Sequence, residues 1–142
     1  MPVRTADAVW TGPMPGGEGT MRMASGAWEG PYSFASRFEE GEGTNPEELI
    51  GAAHAGCFSM AFAGDLGRAG HEPERVQTTA RVHVERDGDG FSITRVELAT
   101  DATVPGIDED EFQRIAQASK AGCPVSRALA GVQIELEARL SA

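Results

Sequence analysis

A chain of 142 residues with 22 acidic against 12 basic side chains and a formal net charge of −10 is the size of one ordinary domain. Its surface repels phosphate backbones and anionic lipid, so nucleic acid and membranes are not expected partners, and no apolar run looks uninterrupted enough to span a bilayer. The stretch before Val9 carries Asp7 and no apolar segment of secretory-signal length, so the expected compartment is the cytoplasm, where thiols stay reduced. Cys57 and Cys123, far apart in the chain, then read as reactive, metal-binding or simply buried rather than as a structural bridge.

Residues 3–11 and 18–24 read as two short strands around the turn Thr11-Gly12-Pro13-Met14-Pro15-Gly16-Gly17, a hairpin with a loose loop. Ser25 to Gly43 is punctuated by glycines and Pro31 and reads as a largely irregular connection, with Tyr32 to Phe38 as a short extended piece. A helix then starts on clear signals. Thr44 and Asn45 are cap candidates, Pro46 suits the first helical position, and Glu47 and Glu48 occupy the positively polarised first turn. It is expected over Pro46 to about Ala69. Apolar residues from Leu49 to Phe62 lie nearly all round it, and a helix apolar on all sides has to be buried on all sides, which points to a partner subunit.

After Gly70 the period switches to two. Val76, Thr78, Ala80, Val82 and Val84 alternate with polar residues, a strand with one buried face. Asp87-Gly88-Asp89-Gly90 turns it, and Phe91 to Val104 returns, with a parity change between Ile93 and Val96 that predicts a bulge. Asp108 caps a helix over about Glu109 to Lys120, Gly122 stops it, Pro124 opens a further short helical stretch, and Val132 to Leu140 alternate as a last strand. The order is α+β, antiparallel sheet packed on helices, without the βαβ alternation of a doubly wound fold.

Cys57 sits midway along the central helix, where a free cysteine is commonly a small hydrophobe. Cys123 stands between a helix stop and a helix start, where free backbone N–H groups stabilise a thiolate. Glu47 in the first turn is explained by the helix dipole alone, at about 0.3–1 kcal/mol. If Asn45 is the cap, however, Glu48 completes the capping box and Glu47 is left free. Arg37, in the irregular segment, is either solvated or functional. His54 shares a helix face with Cys57, so zinc binding with His71, His83 or Cys123 is an alternative, as is a Cys57/His54 hydrolase; neither has its usual spacing or oxyanion signature.

The stretch from Arg37-Phe38 through Gly43-Thr44-Asn45-Pro46-Glu47-Glu48-Leu49-Ile50-Gly51-Ala52-Ala53-His54-Ala55-Gly56-Cys57-Phe58-Ser59-Met60-Ala61 closely resembles the osmotically inducible protein C family, OsmC, which is related to the organic hydroperoxide resistance proteins, Ohr. Val104-Pro105-Gly106-Ile107-Asp108, followed by Ala121-Gly122-Cys123-Pro124-Val125-Ser126, is similar to the same family, and the resemblance extends over residues 1–142 as a single OsmC-like domain. It leans to the OsmC branch, because the matching arginine lies in Ser36-Arg37-Phe38 rather than near the N-terminus.

The resemblance implies an intertwined homodimer, antiparallel sheets wrapped around central helices, and cysteine-based reduction of organic hydroperoxides with weaker action on hydrogen peroxide. By position, Cys57 matches the peroxidatic cysteine, Cys123 the resolving one, and Arg37 and Glu47 the pair that prepares the thiolate. No metal or flavin is implied. The reductant is a thiol, and Ohr-type enzymes take electrons from lipoylated proteins. The rival reading is a non-enzymatic redox-sensing or ligand-binding dimer with the same thiols. The chemistry suits the residues, since S⁻ is the nucleophile and a second thiol protects a sulfenic acid from irreversible oxidation. Phe58 and Met60 are expected to give Cys57 an apolar surround suited to an alkyl group. Glu47 and Cys57 stand ten residues apart, about 15 Å along a straight helix. Either Gly51 or Gly56 breaks that helix, or Glu47 reaches the cysteine of another subunit.

Overall fold

The computed structural model describes residues 2–141. In chain order they form β1 (Ala6–Thr11), β2 (Glu18–Met23), β3 (Glu29–Tyr32), α1 (Phe34–Phe38), α2 (Pro46–Arg68), β4 (Arg75–Asp87), β5 (Gly90–Thr103), α3 (Glu109–Gly122), α4 (Pro124–Ala128) and β6 (Gln133–Ser141), an α+β arrangement. Two compact units result, one ending at Leu49 and one beginning at Ile50.

In the first unit β1, β2 and β3 form an antiparallel sheet in that order. Gly19 is required inside β2, because a Cβ there would lie 2.6 Å from both the Trp10 and the Tyr32 rings, which meet over it at 5.4 Å. The region expected to be irregular instead contains β3 and the one-turn helix α1. Ser33 Oγ accepts from the Ser36 N–H at 3.0 Å, and Ser36 Oγ accepts from the Ser33 N–H at 2.8 Å, a reciprocal capping box. The sequence disguised it, since serine replaces the Glu or Gln usual at the third position. The Ser36 hydroxyl also donates to the Thr44 carbonyl at 2.7 Å, tying α1 to the start of α2. There Asn45 is the cap, its Oδ1 accepting from the Glu48 N–H at 2.7 Å.

The second unit is a three-stranded sheet in the order β4-β5-β6. Asp87 pairs with Gly90 across a tight turn in which Gly88 takes φ +63°. The expected bulge is present: His83 pairs with Arg95 but Val84 with Ile93, which leaves Thr94 as the extra residue. β6 runs parallel to β5, from Arg95↔Gln133 to Thr103↔Ser141, which corrects the all-antiparallel expectation. The period of two reports which face of a strand is buried but not its direction, and a connection carrying α3 and α4 returns the chain to the same end of the sheet.

Along α2, Gly51, His54, Phe58, Phe62 and Leu66 form one buried line at helical spacing. It packs with Val96, Leu98, Ala102 and Val104 of β5 and its end, and with Phe112, Ile115 and Ala116 of α3. Phe62 is the hinge of this packing, with ring centroids 5.5 Å from Phe58 and 5.3 Å from Phe112; burial of each ring contributes about 1.5–3 kcal/mol. Asp65 accepts from the Ser119 hydroxyl at 2.6 Å, joining α2 to α3. The opposite face of α2 is not covered within the second unit: Ala52, Ala53 and Gly56 are exposed and Met60 is 82% exposed. By length and composition α2 is also long and apolar enough to cross a bilayer, contrary to the expectation that no segment would be. Its buried line accounts for that composition on one side.

Candidate active site

Cys57 lies partly exposed on α2, and Cys123 is fully buried between α3 and α4. Cys123 belongs to both helices: its N–H donates to the Ser119 carbonyl at 3.0 Å to close α3, and its extended backbone (φ −64°, ψ 135°) caps α4. As cap, its Sγ accepts from the Ser126 N–H at 3.4 Å, with Pro124 in the first turn where a missing N–H does no harm. Ser126 Oγ stands a further 3.4 Å from the same sulfur.

Both cysteines are free thiols, and they are near enough that each shifts the acidity of the other. Burial pushes the Cys57 thiol up from its ordinary value. The Val125 N–H offsets that in part, and the neighbouring Cys123 pushes it up again. Burial also pushes Cys123 up, but the Ser126 hydroxyl, the Ser126 N–H, the Cys57 thiol and the Val125 N–H outweigh it and leave Cys123 below its ordinary value. Within the second unit, therefore, the surroundings favour the anion on Cys123 over the anion on Cys57. Position on a capped turn, rather than exposure, makes this difference.

The first unit brings Arg37 and Glu47 together. Nη2 of Arg37 donates to Glu47 Oε1 at 2.7 Å, and Nε reaches Oε1 at 3.0 Å and Oε2 at 3.3 Å, a fork grip on a carboxylate that is 6% exposed. Glu47 is available for this because Glu48 accepts from the Thr44 hydroxyl at 2.5 Å and its N–H is held by Asn45. The guanidinium carbon of Arg37 lies 5.1 Å from the Phe38 ring centroid, and its side chain keeps 40% of its exposure. α2 runs unbroken through Gly51 and Gly56, so neither glycine shortens the helical path between Glu47 and Cys57.

His54 is fully buried, with Nε2 2.7 Å from Ser126 Oγ. Burial lowers its pKa and keeps the imidazole neutral. Sequence reasoning weighed His54 only as a ligand or a base and gave Ser126 no role. The available signal was the Cys123-Pro124-Val125-Ser126 spacing, which places a serine at the third position after a cap. His71 pairs with Glu111 at 3.5 Å and His83 with Glu97 at 2.7 Å. Among the described residues no group of three or more His, Cys, Asp or Glu is placed to hold a metal ion. Phe58 belongs to the buried core, against which Cys57 packs, whereas Met60 is exposed.

Two free thiols that shift each other's acidity, one of them acidified by its own turn, are the candidate redox centre of this chain. The family described as OsmC-like protein matches residues 39–137. The chain is 49% identical over 127 residues to peroxiredoxin OsmC of Escherichia coli (strain K12), covering 89% of each. It is 32% identical over 93 residues to an organic hydroperoxide resistance protein-like protein of Staphylococcus aureus (strain USA300), covering 65% of this chain and 66% of that one. In fold it is similar to the crystal structure of an OsmC-like protein from Mycoplasma pneumoniae, with a TM-score of 0.77 over 99% of each chain at 14% identity. The organic hydroperoxide resistance protein OhrB of Bacillus subtilis gives 0.67 at 22% identity, over 96% of this chain and 98% of that one. The chain belongs to the OsmC-like protein family.

Proposed function

We propose that this protein is a thiol peroxidase of the oxidative stress response that reduces organic hydroperoxides, and hydrogen peroxide more weakly, to alcohol or water. The observation that carries the reading is a pair of free thiols, Cys57 and Cys123, near enough to shift each other's acidity, in a chain 49% identical to a peroxiredoxin. Cys57 thiolate attacks the terminal oxygen of the hydroperoxide, the O–O bond breaks, and the alkoxide leaves as alcohol with a proton from solvent. Cys123 thiolate then attacks the Cys57 sulfenic sulfur, the S–O bond breaks, and hydroxide leaves as water. Two electrons from an external thiol, with a lipoylated protein as candidate donor, restore both thiols.

For the first step Cys57 needs a positive charge, since burial and Cys123 hold its thiol up. In this reading Arg37, oriented by Glu47, supplies that charge from the second chain of a homodimer. Two features support the arrangement: the uncovered Ala52, Ala53, Gly56 and Met60 face of α2, and the uninterrupted helix, which puts Glu47 and Cys57 about 15 Å apart along its axis. The match over residues 39–137 crosses the boundary between the two units and supports their reading as one OsmC-like domain, working in the cytoplasm. The test is consumption of cumene hydroperoxide with dithiothreitol as reductant. Many turnovers per subunit are expected; a single equivalent would favour the redox-sensing dimer, which the raised Cys57 thiol of the chain alone also suits.

A further inference from the structure

Cys123 Sγ is a point on which polar groups converge: it accepts from the Ser126 N–H at 3.4 Å, lies 3.4 Å from Ser126 Oγ, to which the thiol donates and from which the thiolate would accept, and is acidified by the Val125 N–H and the Cys57 thiol. A hydroxyl that donates to sulfur has its oxygen free to accept, and the group beside that oxygen is His54 Nε2, at 2.7 Å. His54 is fully buried, and its Nδ1 has no partner among the described residues. A neutral imidazole carries one proton. Placed on Nδ1, it would be a buried N–H with nothing to accept it; placed on Nε2, it completes a chain of donors that all point toward Cys123.

We infer that His54 is a positioning residue: its Nε2–H donates to Ser126 Oγ, which fixes the Ser126 hydroxyl as a donor to Cys123 Sγ and holds the resolving cysteine as a thiolate. The titratable groups facing Cys123 are Cys57 and, through Ser126, His54, both on α2; Asp65, also on α2, is held by Ser119 one turn away. This deepens the peroxidase reading and rests on it for its consequence. While Cys57 is a thiolate, two anions cannot share the site. Once Cys57 has become a sulfenic acid that repulsion is gone, and a Cys123 already supplied with donors attacks without waiting for a base. The S–S bond forms, the S–O bond breaks, and hydroxide leaves to be protonated by solvent. His54 neither gains nor loses a proton in this scheme, which separates it from a general base.

The test needs no peroxide. In a Cys57→Ser background a single thiol remains, and thiolate absorbance near 240 nm titrates Cys123 alone. His54→Leu is expected to raise the midpoint by about one unit, a tenfold loss of thiolate at any pH below both midpoints, and Ser126→Ala by at least as much. His54→Gln, whose amide N–H₂ reaches the place of Nε2–H, is expected to keep the wild-type midpoint. If His54→Leu does not fold, His54→Asn, too short to reach Ser126, takes its place. An unchanged midpoint in the Leu or Asn variant overturns the inference, and so does a Gln variant as impaired as Leu, because position 54 would then need to accept a proton. With both cysteines present, disulfide closure after one equivalent of hydroperoxide should slow about tenfold in His54→Leu. Closure at the wild-type rate also overturns the inference. A wild type that consumes no hydroperoxide refutes the peroxidase reading instead, and the titration still decides the role of His54.

Discussion

Replacing Arg37 by methionine keeps the aliphatic stem and removes the charge, so it isolates the electrostatic work proposed for this residue. A unit charge about 4 Å from a thiolate, at an effective dielectric near 20, is worth roughly 4 kcal/mol, or about three pKa units. The Arg37 side chain retains 40% of its exposure, so solvent screening reduces this to about one to two units. Burial and Cys123 already hold the Cys57 thiol up, and Arg37→Met leaves that tendency unopposed. The sign follows directly: with Arg37 the thiolate is present above a lowered pKa, and in the variant it forms only at higher pH. Below both midpoints attack on hydroperoxide should fall about ten- to hundredfold, and the deficit should close as pH rises through the variant's midpoint. Alkylation rate of Cys57 against pH, in a Cys123→Ser background with circular dichroism as a fold control, reads this. A superimposable pH profile in the folded variant would refute the reasoning and leave Arg37 as a partner of Glu47 alone.

Other consequences concern assembly and the core. Mixing Glu47→Gln and Cys57→Ser subunits, each inactive alone, should restore activity, because a heterodimer with Glu47 acting in trans has one intact site; mixtures that remain inactive would place Glu47 in cis. Phe62→Ala removes the ring that touches both Phe58 and Phe112 and should cost about 3–5 kcal/mol in urea unfolding; a loss under 1 kcal/mol would mean the site collapses around the cavity. The Ser119 hydrogen bond, against the opposing effect of burial and with help from Arg68, holds the Asp65 carboxyl below the usual carboxylate range. Its stabilising contribution is present above the unfolded pKa and lost as pH falls through the lower folded one. Acid titration of stability should therefore be shallower in Asp65→Asn than in wild type, and identical curves would remove Asp65 from the account.

How much of this was legible in the chain differs from element to element. β4, β5 and α3 announce themselves because one side of each is buried, so their apolar period survives, and the parity break at Thr94 marks a bulge. α2 is bounded by Asn45 and Pro46, a cap and first-turn pair that the fold uses as expected. β3 and α1 were hidden because four- and five-residue elements are too short to display a period, and Pro31 and the serine-serine capping box disguise them. The parallel direction of β6 has no local signal, because it is set by how α3 and α4 cross the sheet.

At the site, the cap position of Cys123 was readable from Gly122 and Pro124, since a helix stop followed at once by a helix start leaves only one residue between them. The bond between His54 and Ser126 was not readable, because it joins residues 72 positions apart and exists only once α2 and α4 are packed. The same holds for the order of acidity within the thiol pair. Sequence places both cysteines near helices, but only the donors around Cys123 lower its pKa while that of Cys57 is raised.

The most direct measurement of the central claim is mass spectrometry of the reduced protein after one equivalent of cumene hydroperoxide. The account predicts an intramolecular Cys57–Cys123 disulfide in wild type, no hydroperoxide consumed by Cys57→Ser, and in Cys123→Ser one equivalent consumed, with Cys57 left as a sulfenic acid that excess peroxide over-oxidises. Equal loss of the first equivalent in both variants, or a wild type that consumes hydroperoxide without joining these two sulfurs, would contradict it.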